Sequence, residues 1–346
     1  MNKLFSSLDN FRQQFNQGLN QLLDKQQLGP FILCLANATN DQQLFEQLKK
    51  PLKNQFELLL NQYQQALKSG IQIDAVEEDL LVFLEIHELG FDNIQLTQQR
   101  IESHWQCQFN QLRSFRPRRM INFRHNGEMS TPFDENQFHF NKPFMPKECF
   151  WSGDYNKKRL DIFYNKYPFA DLHGLIVPQR ESCFSQLLSE DMHIYIWQLT
   201  QNLSLTLPGL GVGYNSYGAY ASVNHLHFQM FFHQQGLPIS HSHWIHNGGS
   251  IQYPINVVAC EDARESWTLI NDLHQNKQAY NLLYMPDKIF IMPRKLQGTV
   301  DVPEWGSGFT WYELSGALLQ FNQLSYKELS AIEIENLLKK HSIKNF

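Results

Sequence analysis

The chain has 346 residues, 42% of them apolar and 13% aromatic, enough for one large domain or two ordinary ones around a real core. Its formal net charge is -5 and only 18% of its residues are charged, so nothing global draws it to nucleic acid or an anionic membrane, and a bound anion has to be held locally. Neither the opening MNKLFSSLDNFRQQF nor any later stretch reads as a signal peptide or a membrane span. Five scattered cysteines (Cys34, Cys107, Cys149, Cys183, Cys260) without a CxxC pair fit a cytoplasmic protein with free thiols, not a disulfide framework or a thiolate metal site.

Leu4, Leu8, Phe11, Phe15, Leu19 and Leu22 recur at spacings of three and four, which predicts an amphipathic helix. A second stripe, Phe56, Leu59, Leu60, Tyr63 and Leu67, follows Pro51, and further helices are expected over 80–86 and 94–112, with Gly70 and Gly90 as breaks. The glutamine-rich texture is low in complexity, but its periodicity predicts order. After residue 120 the texture changes to short apolar runs broken by Pro, Gly and Asn, such as RLDIFYNKYPFADLHGLIVPQR, SVNHLHFQMFFH and AYNLLYMPDKIFIMPRK, which predict antiparallel strands. The first and third of these share a strand, a turn and a second strand ending in proline near an arginine (Pro178 with Arg180, Pro293 with Arg294), the pattern of a duplicated unit. A closing helix is expected from near Ser325 through Leu329, Ile332, Leu337 and Leu338. The expected fold class is therefore α+β: a helical N-terminal region (1–104), an antiparallel-sheet core with flanking helices (105–324) and a C-terminal helix (325–346).

On a strand His225, His227 and Gln229 project from one face at steps of about 6.8 Å, while Leu226, Phe228 and Met230 point into a core. An HxH pair alone means little in a chain with 14 histidines, and His241 and His243 form a second. What distinguishes the first is its approach, GVGYNSYGAYASVNHLHFQ: small residues (Gly211, Gly213, Gly218, Ala219, Ala221, Ser222) let backbone come close to a ligand, and Asn215 and Ser222 add neutral hydrogen bonds beside the imidazoles. Such donors suit a phosphate whose charge must be held while phosphorus is attacked.

These residues resemble the signature of the histidine-triad superfamily, in its nucleotidyltransferase branch, which includes galactose-1-phosphate uridylyltransferase, diadenosine tetraphosphate phosphorylase and the GDP-hexose phosphorylases. That branch carries glutamine where the triad hydrolases carry a third histidine, and here the position is Gln229. The segment YNSYGAYASVNHLHFQ is most similar to the GDP-hexose phosphorylases, and CQFNQLRSFRPRR, PFDENQFHFNK, NKYPFADLHGLIVPQR and YNLLYMPDKIFIMPRK look like that family's segments in the same order, covering roughly residues 105–320. The resemblance implies a histidine-triad-like sheet, His227 as nucleophile, His225 as its neighbour, Gln229 as a phosphate-binding amide, Asn215 and Ser222 as phosphate holders, and a structural role for His173. It implies no cofactor. Cys149 is similar to the first cysteine of a CxxC found in some bacterial relatives, but Ser152 stands at the second position, so no metal is expected there.

A neutral imidazole is a competent nucleophile toward phosphorus bearing a good leaving group, and a departing sugar phosphate or nucleotide is so weakly basic that an uncharged glutamine suffices at the third position. The ring nitrogen that does not attack should donate to a carbonyl, so that the attacking one keeps its lone pair. Arg113, Arg116, Arg118, Arg119 and Arg124 place five guanidiniums within twelve residues, and Arg116 and Arg119 are the candidates for substrate or incoming phosphate, against a solvated basic face. His241, His243 and His246 have no carboxylate or cysteine nearby to complete a tetrahedral metal set, so a loop close to the site is expected instead. GLGVG at 209–213 lacks the GxGxxG spacing and any P-loop lysine. The expected activity is phosphorolysis of a GDP-hexose-like nucleotide sugar through a nucleotidyl-histidine at His227. Dinucleoside polyphosphate phosphorolysis or hydrolysis, and a non-catalytic nucleotide-binding module, are the alternatives. The expected partners are a small nucleotide and inorganic phosphate, with no nucleic acid and no membrane, for a monomer or homodimer.

Overall fold

A computed structural model describes residues 4–116 and 127–344. The chain opens with four helices, α1 (Leu8–Leu23), α2 (Leu28–Ala38), α3 (Gln42–Lys68) and α4 (Glu77–Leu89). Phe11, Phe15, Leu19 and Leu22 are buried along α1, whose N-cap Ser7 accepts from the Asn10 amide. The run LGPFILCLANA is apolar all round and becomes α2, buried on nearly every side among its neighbours. Helix α3 differs from expectation, since it starts at the Asp41 cap and runs through Pro51. The lost interior hydrogen bond is tolerated because Leu44, Phe45 and Leu48 before the proline and Leu52, Phe56 and Leu59 after it are all buried.

The helix expected over 94–112 is instead largely a hairpin. Strands β1 (Gln98–Glu102) and β2 (Trp105–Phe109) pair antiparallel with Glu102 opposite Trp105, turning through Ser103 at a φ of 57°, and only the short α5 (Gln111–Ser114) follows. The expected boundary at 104/105 falls in that turn. β2 also pairs in parallel with β11 (Ala317–Gln320), so a partner two hundred residues away decides the local structure.

The main sheet comprises β3 (Cys149–Tyr155), β4 (Lys158–Tyr164), β5 (Asp171–Pro178), β6 (Leu210–Asn215), β7 (Phe228–Phe232), β8 (Val258–Cys260), β9 (Tyr280–Tyr284) and β10 (Ile289–Pro293). Their order is β3-β4-β5-β7-β6-β9-β10-β8, antiparallel throughout. The two proline-ended hairpins, β4/β5 and β9/β10, flank the central β7/β6 pair on opposite sides of one sheet. Both faces are covered, which is why β10 reads as an unbroken apolar run: Ile289 and Ile291 join the core that includes the N-terminal helices, while Phe290 and Met292 join a second core. Helices α6 (Glu190–Ser204) and α7 (Ala263–Gln275) pack on the first face, and β11 with the short α8 (Trp311–Leu314) on the second. The closing helix is two, α9 (Gln323–Glu328) and α10 (Ala331–His341), because Ser330 and Glu333 form a capping box that starts a new helix after Leu329. Among the described residues no helix is long and apolar enough to cross a membrane.

Candidate functional site

The sheet's two-residue period sends Leu210, Val212 and Tyr214 of β6 and Phe228, Met230 and Phe232 of β7 into the first core. Gly213, Asn215 and Gln229 therefore face the second side, where a cavity of about 320 Å³ is lined by Asn215, Ser222, His227, Gln229 and Thr310, with Arg113, Arg116, Lys166, Phe140 and Phe169 among the other walls. Gly213 lies opposite Gln229 in register. Having no side chain, it admits the Trp311 indole directly against the sheet. Trp311 then fixes two site residues at once: its Nε1 donates to Gln229 Oε1 (3.1 Å) and its backbone N–H to Asn215 Oδ1 (3.0 Å), which also accepts from Asn281 Nδ2 (2.6 Å). With those oxygens engaged, the Asn215 NH₂ group is left, among the described residues, to offer a ligand, and Gln229, which also hydrogen-bonds His173, keeps at least one N–H to offer.

His225 and His227 precede β7 and do not lie within it, since regular pairing begins at Phe228. Side-chain hydrogen bonds hold this irregular run. Gln186 donates to Asn215 O (3.0 Å) and His227 O (3.2 Å) and accepts from the His227 N–H (3.0 Å), tying it to β6. His225 takes the Phe140 N–H on Nδ1 (3.2 Å), so its Nε2 carries the proton toward Arg180 O (2.9 Å). The Arg180 guanidinium pairs with Asp161 (3.0 Å) and donates to Phe140 O (3.2 Å), closing the loop of contacts. His225 O, oriented by this network, lies 2.8 Å from His227 Nδ1 and accepts its proton. The unprotonated nitrogen of His227 is then Nε2, and among the described residues no group takes it.

Burial lowers His227 and His225 to about 4, and for His225 the neighbouring His227 adds to the shift. Both rings are neutral at physiological pH. His173, fully buried against Phe169 at 4.3 Å between ring centroids, is held at about 3 by desolvation and by Arg113. It lies beneath the site and is not part of the cavity wall.

Arg113 lies over the Phe169 ring at 4.9 Å and donates to Tyr167 O, and burial lowers it to about 10. Arg116 ion-pairs with Glu78 (3.0 Å) and lies over Tyr167 at 4.9 Å. Arg118, Arg119 and Arg124 fall outside the described residues. Gly218 turns the chain at a φ of 77° and accepts the Gln297 N–H (2.8 Å); it is not among the lining residues. The histidine loop also departs from expectation. His241, His243 and His246 do not line the cavity: His243 packs on Trp244 and His104, with centroids 4.1 and 4.4 Å apart, and His246 bonds Ile239 O. Among the described residues no group of three metal-ligating side chains comes together. Ser152 instead donates to Asp161.

Gln186 and Trp311 were not singled out by sequence, and Arg180 stood out only as the arginine after Pro178, not as part of the site. Thr310-x-x-Glu313, a capping box that starts α8 at Trp311, is the one local signal that marks any of them. Gly213→Ala would drive a methyl group into the Trp311 indole. It is expected to destabilise the protein by about 1–3 kcal/mol and to lower turnover further by displacing Gln229 and Asn215. Thermal unfolding and kcat measured on the variant check both, and unchanged values would show that Trp311 does not set the site.

An unprotonated imidazole nitrogen that no described residue engages, on a cavity wall furnished with amide and hydroxyl groups, is an arrangement suited to attack on phosphorus. Residues 92–231 match the family model described as GDPGP1-like, N-terminal domain, a stretch that contains Arg113, His173, Gln186, Asn215, His225, His227 and Gln229. The chain is 33% identical over 129 residues to GDP-D-glucose phosphorylase 1 of Danio rerio, covering 37% of this chain and 35% of that protein. It is 25% identical over 199 residues to GDP-L-galactose phosphorylase 2 of Arabidopsis thaliana, covering 47% and 46%. The chain thus spans less than half the length of the curated relatives it matches. A crystal structure of yeast Ap4A phosphorylase Apa2 in complex with Ap4A aligns with a TM-score of 0.49 at 12% identity, over 79% of this chain and 100% of that one. The resemblance to GDP-hexose phosphorylases read from the sequence is therefore found again by comparison with two such proteins.

Proposed function

We propose that the protein is a nucleotidyltransferase of the phosphorylase type, acting on a GDP-hexose-like nucleotide sugar in two displacements. His227 Nε2 attacks the α-phosphorus; an N–P bond forms as the P–O bond to the sugar phosphate breaks, and hexose 1-phosphate leaves. An oxygen of inorganic phosphate then attacks the same phosphorus, the N–P bond breaks, and the nucleoside diphosphate departs. The observation that carries this is the 2.8 Å contact from His227 Nδ1 to His225 O, because it commits the ring's proton away from the cavity and leaves the lone pair on Nε2.

The amides of Asn215 and Gln229 and the hydroxyl of Ser222 hold the phosphate oxygens as charge develops on them, and no proton need be supplied to so weakly basic a leaving group. Gly218 shapes the turn that delivers Ser222. Arg116 and Arg119 are assigned to the substrate or incoming phosphate, Arg116 from the cavity wall. The match of residues 92–231 to the GDPGP1-like family model, together with the partial identity to two GDP-hexose phosphorylases, supports the same reading. The test is product analysis with GDP-glucose, GDP-galactose and diadenosine tetraphosphate, each with and without inorganic phosphate. Phosphate-dependent release of GDP and hexose 1-phosphate is the expected result. Water-driven release of GMP would make the protein a hydrolase, and tight binding with no turnover would make it a binding module.

A further inference from the structure

The cavity that His227 faces is also lined by Glu148 and Lys166, which the chemistry above does not use. Glu148 ends the 3₁₀ turn Met145–Glu148 and is half-buried. Among the described residues it accepts no hydrogen bond. Lys166 sets two of its three ammonium protons on the two oxygens of Asp79 (2.6 and 2.7 Å), leaving one to give. The two side chains lie within each other's field: burial raises the Glu148 carboxyl, and the Lys166 charge is the largest influence opposing that rise. Phe138, Phe144, Met145 and Tyr167 supply flat or apolar surface in the same cavity.

A carboxylate drawn partly out of water without a donor is costly, and the cost is recovered when a ligand brings the donors. The ligand that fits is planar, to lie against the aromatic rings, and presents one acceptor next to two donors along one edge. Guanine has that edge: O6 accepts, and N1–H and the N2 amine donate. Adenine presents a donor and an acceptor in the first two places and is mismatched at both. We propose that Glu148 and Lys166 read the base of the nucleotide, Glu148 taking N1–H and the N2 amine and Lys166 donating to O6, so that guanine is selected over adenine. The assignment rests on the proposed nucleotide site but not on its reaction.

Equilibrium binding of GMP, IMP and AMP therefore tests it whether or not His227 turns over, and failure of the reaction would show separately as absent products. The wild-type protein is expected to bind GMP about 100-fold or more tighter than AMP, with IMP, which lacks the N2 amine, in between. Glu148→Gln should weaken GMP by about 30-fold while AMP is unchanged or improved, since an amide pairs with the adenine edge. Wild-type protein showing no preference for GMP, or a variant weakened equally toward all three nucleotides, would overturn the assignment. The IMP comparison needs no substitution, so a variant that fails to fold leaves that comparison decisive.

Discussion

Replacing His227 with asparagine is expected to lower kcat/KM for a GDP-hexose by about 10⁴-fold or more, with nucleotide binding retained. Asparagine can still donate to His225 O, as His227 Nδ1 does at 2.8 Å, and keeps a polar group at the cavity wall, but offers no nitrogen lone pair able to attack phosphorus. Asn215, Gln229 and Ser222, the proposed phosphate holders, still line the cavity, so affinity should change far less than rate. A variant within tenfold of wild-type activity would mean that phosphorus is attacked by something other than His227. Changing Gln186 is a milder counterpart, since it loosens two contacts to His227 and one to Asn215 while leaving the imidazole in place.

Mild acid is expected to destabilise the protein strongly. Burial holds His193, His225 and His227 at about 4 and His173 and His341 at about 3, against about 6.5 in an unfolded chain. Above pH 6.5 neither state binds these protons and stability is unaffected. Below it the unfolded chain takes them up and the folded one does not, so stability falls by about 1.4 kcal/mol per pH unit per imidazole until the folded pKa values are reached. Five such groups at pH 5.5 sum to several kcal/mol, a large share of a domain's whole stability. Glu148, Asp171 and Glu313, raised by burial, act in the opposite direction as pH falls, nearer the carboxylate range. Denaturant midpoints at pH 7.5 and 5.5 measure the effect. Equal midpoints would contradict it, and would imply that these imidazoles gain access to water.

The parts legible in the sequence are those carried by one short run of chain. The hairpins around 158–178 and 280–293 announce themselves because strands buried on both faces are apolar without interruption, and His225, His227, Gln229, Asn215 and Ser222 stand within fifteen residues of one another. What failed was decided by distant partners. The stretch 94–112 has helix-like spacing, yet β2 is claimed by β1 and β11. Pro51 reads as a helix start, but packing on either side carries α3 through it. His225 and His227 read as strand because alternation is all the sequence shows, whereas Gln186 and Arg180 hold them out of regular pairing. Trp311, nearly a hundred residues from the glycine that receives it, has no local mark of its role beyond the capping box.

The proposed covalent step is open to direct observation. Protein mixed with GDP-glucose in the absence of phosphate, quenched in alkali and weighed intact, should gain one guanylyl group, map it to the peptide containing His227, and lose it when phosphate is added. Consumption of the donor with no mass gain, or a label on any other residue, would contradict the proposed nucleophile.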